Sequence, residues 1–515
     1  MPATAAPDAS ATPTPDSSAP MTHREVLETL SGLLLGMFVA ILSSTVVSNA
    51  LPRIVADLEG TESGYTWIVT ATLLATTIST PIWGKLADLT SKKRLVQVAL
   101  GIFTVSSMIA GLAQNMETLI AMRVFQGIGA GGLTALSQVI LASIVSPRER
   151  GRYSGYLGAT FALGTVAGPL IGGAITEHLS WRWCFYVGVP FAIAAAVVLQ
   201  KTPHLPTIKR PVRIDYLGAM TIAGGVSLLL VWVSLAGHQF DWASWETAVM
   251  VPGGIALLAL TVLVESRASE PIIPLRLFEN RTVVLASLAS LFVGVGLFAS
   301  TIFLGQYFQL ARGDSPMMAG VMTTPLILGL FVTSTVSGRA VTRTGRWKVW
   351  LVAGAATLTV GLLLMSRVGW DTTYWLVAPA MLVVGAGTGM MMQNLVVAVQ
   401  NEVSGPDLGA ASSFVAFTRT MGGAFGVSAL GALLGHRVEE HTTEGLAAAG
   451  IHPPEGHGGR SIPSLDQLPA PMRPIVQAAY GDGIAEIFLA GAPFAFFALV
   501  LCLLIRERAL RETTS

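Results

Sequence analysis

The chain has 515 residues, 52% of them hydrophobic and only 12% charged, with a net charge of +1. Soluble proteins average about 25% charged residues, so this composition excludes a water-soluble globular fold. The near-neutral balance also points to no nucleic-acid partner.

Residues 1–30 open the chain with a segment rich in Ala, Pro, Thr and Ser, neither basic nor apolar enough for a signal peptide and read as a disordered cytoplasmic tail. Beyond it the mean hydropathy, +0.63 for the whole chain, is concentrated in long apolar runs. A spanning helix needs roughly 20 apolar residues, and continuous rather than alternating runs select helices over a β-barrel. Fourteen spans are predicted: 31–52, 66–87, 95–114, 117–141, 153–175, 183–200, 216–236, 248–265, 282–308, 316–338, 348–367, 375–398, 408–435 and 483–505. Segment 436–482, rich in Gly, Pro, His and charge, is expected as an extracellular loop. Its histidines, among them His436, His441, His452 and His457, are read as solvated, and no metal or cofactor is assigned. Cys184 and Cys502 are read as reduced packing residues.

Positive charge sets the orientation. With the N-terminus inside, 22 of the 31 Lys and Arg residues fall on the cytoplasmic side, all six lysines among them, and both termini are cytoplasmic.

The sequence echoes itself. Gly84 and the basic residues Lys92, Lys93 and Arg94 after span 2 are matched by Gly338, Arg343, Arg346 and Lys348 after span 10. Gly127, Gly129 and Gly131 in span 4 are matched by Gly385, Gly387 and Gly389 in span 12. Both echoes give one register: a six-helix half over 31–200, two extra helices with linkers over 201–281, and a second six-helix half over 282–505, followed by a cytoplasmic tail, 506–515. Repeated halves with a site at their interface are a hallmark of alternating-access transporters.

Three segments carry more than packing. In 84–94, Gly84 permits close helix approach and Asp88 is placed to meet a helix N-terminus or an arginine, which reads as a gating latch. Arg123, with Gln126 in span 4, is a charge inside the membrane, where it faces a bundle interior or wet cavity, or snorkels to an interface. Gly164, Gly168, Pro169, Gly172 and Gly173 in span 5 form a small-residue ladder interrupted by a helix-bending proline.

These segments resemble the major facilitator superfamily. The loop 84–94 looks like its cytoplasmic signature loop, Arg123 with Gln126 and Gly127 like the span-4 motif of its drug exporters, and 164–173 like its antiporter motif. Fourteen spans are similar to the drug:proton antiporter branch, and the overall look to actinobacterial antibiotic exporters. The resemblance implies an all-α membrane fold of two pseudo-symmetric six-helix halves with two inserted helices, working as a monomer on small lipophilic substrates and protons. Many relatives carry an aspartate in span 1, where this chain has Ser43. Asp57 and Glu486 are the candidate substitutes for a proton relay with Arg123. Asn49, Gln126, Gln306, Tyr307, Gln393 and Asn394 are the candidate lining of a substrate cavity. Arg419 in span 13 either balances Arg123, binds an anionic or phenolic substrate, or bonds helix carbonyls. No P-loop, HExxH or GxSxG is present, which argues against an ATP-driven pump or an enzyme. The leading expectation is a proton-driven exporter at the cell membrane; an importer or a proton-independent facilitator of the same fold is the alternative.

Overall fold

The computed structural model describes residues 23–58, 62–201, 215–236, 239–403, 405–450, 469 and 471–511. Most of the predicted N-terminal tail, part of the linker ahead of span 7 and the middle of segment 436–482 lie outside the described residues, as do the side chains of Asn49 and Pro169.

The first half comprises α1 (His23–Asp57), α2 (Glu62–Leu89), α3 (Lys92–Gly111), α4 (Met116–Ile144), α5 (Pro147–His178) and the broken pair α6 (Trp183–Tyr186) and α7 (Val189–Lys201). The inserted helices are α8 (Tyr216–Leu235) and α9 (Trp245–Glu265). The second half comprises α10 (Arg281–Gln306), the pair α11 (Pro316–Met322) and α12 (Thr324–Thr344), α13 (Lys348–Met365), α14 (Tyr374–Glu402), α15 (Leu408–Ala448) and α16 (Arg473–Leu504). Twelve membrane spans among the described residues are apolar and long enough to cross a bilayer. Helices α2 and α15, of 28 and 41 residues and richer in Thr, Ser and Gly, lie where the other two spans are predicted.

Local chemistry sets the ends. Asn115 caps α4 by accepting from the Thr118 N–H at 2.8 Å, and Asn280 caps α10 by accepting from Thr282 and Val283. Gly345 ends α12 in the left-handed region, φ 71°. Three boundaries differ from expectation. Residues 23–30 belong to α1 rather than to a tail, and segment 436–482 is helical at both ends, because α15 runs to Ala448 and α16 starts at Arg473. Within the predicted tail and the residue before it, 505–511 pack on the bundle: Trp347 donates to the Arg508 carbonyl at 2.9 Å, Arg508 pairs with Glu402 at 3.0 Å, and Ile505 and Leu510 are buried.

The halves repeat at the level of atoms. In the first, α4 packs on α2 and α3; a Cβ on Gly127 would lie 2.5 Å from the Thr72 carbonyl, one on Gly131 2.7 Å from the Thr76 carbonyl, and one on Gly129 2.8 Å from the Ala99 carbonyl. In the second, α14 packs on α12 and α13; the distances are 1.8 Å from Gly385 to the Leu326 carbonyl, 2.4 Å from Gly389 to that of Leu330, and 2.8 Å from Gly387 to that of Gly354. Only glycine tolerates such approaches. Likewise α1 packs on α4, α5 and α7 as α10 does on α14, α15 and α16. The halves meet along two seams, α2 with α15 and α5 with α12. Helix α8 covers the first seam, with Ser234 bonded to Ser428 of α15 at 3.2 Å, while α9 presents most of its surface outward.

Candidate functional site

The end of the bundle that carries the basic loops, the basic face, is closed across both seams. At the first, Gly84 of α2 abuts α15 so tightly that a Cβ there would stand 2.0 Å from Ser413 Oγ and 2.7 Å from the Gly409 carbonyl. One turn on, Asp88 Oδ1 accepts from the Gly409 N–H and Oδ2 from the Ala410 N–H, each at 2.9 Å. These are unpaired donors of the first turn of α15, and the carboxylate also meets the positive end of that helix. Of the basic triplet, Lys92 acts on Asp88, Lys93 donates to the Gln200 carbonyl at 2.9 Å, and Arg94 is exposed.

Near the second seam, Arg150, one of the basic residues counted on the cytoplasmic side, and a set of uncharged polar groups and a fitted glycine tie α5 to the second half. Arg150, 3% exposed, donates to the carbonyls of Val145 and Ala142 and reaches Gln400 Oε1 of α14 at 3.4 Å. Gln400 in turn donates to Ser412 Oγ of α15 at 2.9 Å. A Cβ on Gly158 would meet Ser334 Oγ of α12 at 2.4 Å. A further tie, Lys85 Nζ to Glu270 Oε2 at 2.7 Å, joins α2 to the segment between α9 and α10. A clue was available for Arg150: it lies one turn into a helix that starts with Pro147, so its side chain can fold back on the preceding turn.

The glycine ladder of α5 seats α1. Gly164 faces Ile41, Gly168 faces Thr45 and Gly172 faces the Val46 carbonyl; Thr45 Oγ1 donates to the Gly164 carbonyl at 3.1 Å. Gly173 instead faces Met317 across the second seam, 3.6 Å from where its Cβ would be.

Arg123 is 3% exposed at the junction of α2, α3 and α4. Its Nε donates to the Ile68 carbonyl at 3.3 Å and its Nη1 to Gln126 Oε1 at 3.0 Å; Gln126 donates onward to Ser107 Oγ at 2.6 Å. Among the described residues its acceptors are uncharged oxygens, with no directly bonded carboxylate. Arg419, 4% exposed, donates to the Met392 carbonyl at 3.3 Å. It lies on α15, the counterpart of α5, so the repeat does not pair it with Arg123 on α4.

Asp57 and Glu486 are not brought together. Asp57 accepts from Trp181 Nε1 at 2.8 Å in the first half. Glu486 binds Arg437 at 2.9 Å and His441 at 3.0 Å between the outer reaches of α15 and α16. Among the cavity candidates, Tyr307 donates to the Gly369 carbonyl at 2.9 Å, and Asn394 donates to Ser337 Oγ at 3.1 Å and to the Met390 carbonyl at 2.7 Å. Gln393 is buried and Gln306 half-buried. The Ser43 hydroxyl, where many relatives carry an acid, is buried with no hydrogen-bond partner among the described residues.

Comparison with known proteins is consistent with this arrangement. The chain is 36% identical over 487 residues, 94% of its length and 70% of the relative's, to an uncharacterized MFS-type transporter of Mycobacterium tuberculosis. It is 33% identical to the multidrug transporter protein MdtP of Bacillus subtilis, covering 86% of this chain and 78% of that one. It is 31% identical to the efflux pump dotC of Dothistroma septosporum, covering 94% and 84%. Among solved structures, the proton:xylose symporter XylE superposes with a TM-score of 0.60 at 13% identity, over 92% of this chain and 95% of that one, which shows a shared fold. These relatives and neighbours are transporters rather than enzymes. The Major Facilitator Superfamily profile matches residues 33–427, and with the two glycine-fitted halves this places the chain in the major facilitator superfamily.

Proposed function

We propose that the chain is a secondary active exporter of small lipophilic molecules, working by alternating access and driven by proton antiport. The basic face and both termini are then cytoplasmic, and a monomer suffices because one chain holds both halves. The observation that carries this reading is the closed basic face. Its contacts join the two halves through the Asp88 carboxylate, two ion pairs to the segment between α9 and α10, a few polar bonds and fitted glycines, a short set of interactions for rocking to break. Export rather than import is supported by the α5 ladder that seats α1, which resembles the antiporter motif, and by MdtP and dotC, whose names are those of a multidrug transporter and an efflux pump. Arg123 is the positive charge assigned to the path, with Gln126 and Ser107 fixing its orientation.

The test is transport of lipophilic dyes by the purified protein in liposomes under an imposed pH gradient. Wild type accumulates dye with the gradient, and Arg123→Ala loses at least about tenfold of that rate, the effect of about 1.4 kcal/mol on the barrier. The buried Ser43 in place of an acid favours a second reading, a facilitator indifferent to protons. Dye movement that ignores the gradient selects it.

A further inference from the structure

The inserted helices end on the basic face in two carboxylates that the transport reading leaves unused. Asp215 caps α8 through Oδ1, which accepts from the Gly218 N–H at 2.8 Å; its Oδ2 is buried with no hydrogen-bond partner among the described residues. Glu265, the last residue of α9, is 3% exposed; its Oε2 accepts from the Ile273 N–H at 3.4 Å, and its Oε1 is buried with no hydrogen-bond partner among the described residues. The two orphaned oxygens converge over Gly218. A Cβ on that glycine would stand 2.4 Å from Asp215 Oδ2 and 2.7 Å from Glu265 Oε1, so the oxygens lie within about 5 Å of each other.

Among the described residues, two neighbours supply charged groups that face this pair. Helix α2 supplies Lys85, which acts on Glu265 and on Asp88, and the segment after α9 supplies Glu270, already bonded to Lys85. Helix α15 contributes the aromatic rings of Phe414 and Phe417 to the same apolar cluster. Among the described residues, one ammonium, that of Lys85, therefore serves Glu265, Glu270 and Asp88. Two ionised carboxylates facing each other out of water repel, and each leaves an acceptor unfilled. One proton resolves both problems, because a protonated carboxyl donates to the oxygen opposite.

We propose that Asp215 and Glu265 form a proton-binding pair that senses pH at the basic face and sets the strength of the gate. The lever is the segment between α9 and α10. It is tied to α2 by Lys85–Glu270 and to the start of α15 by Arg276–Asp407 at 2.6 Å, so it straps the first seam beside Asp88. With one proton shared, the pair carries a single negative charge and Lys85 stays on Glu270. When that proton leaves, the doubled charge draws Lys85 off Glu270, the strap loses its hold on α2, and the gate opens more readily. Opening therefore rises with pH at this face.

The test uses full-length protein in lipid nanodiscs, without substrate or gradient. Infrared difference spectroscopy reads the protonated-carboxyl band during a pH titration, and spin-label distances between Thr90 and Pro406 read the gate. Wild type shows a titrating band and an open population that grows about tenfold as the proton leaves, one pKa unit of linkage. Glu265→Gln loses its part of the band and flattens the pH dependence, and Asp215→Asn moves both to lower pH by removing the repelling charge. Glu270→Gln keeps the band but loosens the gate at every pH, and it serves as the test if the other variants fail to fold. An unchanged band in both pair variants overturns the proposal. So does a gate that follows sodium at fixed pH, which would make the ligand a metal cation. No outcome depends on gradient-driven transport, so failure here leaves the exporter reading standing, and the converse holds.

Discussion

The two halves pack alike and are charged differently. Thr72 and Thr76 carbonyls receive Gly127 and Gly131 as Leu326 and Leu330 carbonyls receive Gly385 and Gly389. In that register Arg123 corresponds to Met381 and Gln126 to Val384, both fully buried or nearly so in the apolar core of the second half, or lining it. Asp88 corresponds to Thr342, whose hydroxyl bonds only the Gly338 carbonyl of its own helix at 2.9 Å. The helix ends differ too. Helix α15 offers Asp88 the N–H groups of Gly409 and Ala410, whereas at the start of α5 the N–H groups of Glu149 and Arg150 are bonded to the Ser146 carbonyl. Shared packing builds the bundle; the unshared charges are those assigned to the proposed gate and path, and they sit mainly in the first half.

This contrast can be broken by substitution. The largest effect is expected for Gly385→Ala, whose Cβ would lie 1.8 Å from a backbone oxygen that cannot step aside. A loss of about 3 kcal/mol, the upper end of overpacking, is expected, and somewhat less for Gly127→Ala, whose contact is 2.5 Å. Thermal melts of detergent-solubilised protein check the ranking, and the reverse order would mean that the halves do not pack alike. Next is Asp88→Asn, which gives up a charged acceptor at a helix N-terminus. It should weaken the gate by about 2 kcal/mol, whereas Thr342→Val should leave gate distances unchanged. An equal response to both would erase the asymmetry. Gly345→Ala should cost about 1 kcal/mol through its positive φ. Gly305→Ala, with open space around the new methyl, should melt like wild type.

Much of this was legible in the sequence because it depends on short-range patterns. Continuous apolar runs locate the helices, and glycine triplets survive only where backbones touch, so the echo between 127–131 and 385–389 already gives the register. Asp88 was legible in kind, a carboxylate awaiting a helix end, but the identity of that end, 321 residues away at Gly409, is set by tertiary packing. Arg150 was hidden because a basic residue at a span end has a sufficient explanation in topology. The outer extension of α15 was missed because His436-Arg437-Val438-Glu439-Glu440-His441 is polar, and an apolar-run reading sees a loop where water-exposed helix continues. Asn394 shows the remaining ambiguity. A polar side chain in a span reads equally as pathway or as helix-helix bond, and here its amide bonds Ser337.

The central claim is that the junction of α2 with α15 is a gate that parts during transport. Spin labels at Thr90 and Pro406, in proteoliposomes that are actively moving dye, address it directly. The account predicts a short distance at rest, a second, longer population during turnover, and a shift toward that population in Asp88→Asn. A single unchanged distance in wild type and variant while dye is still transported would contradict it.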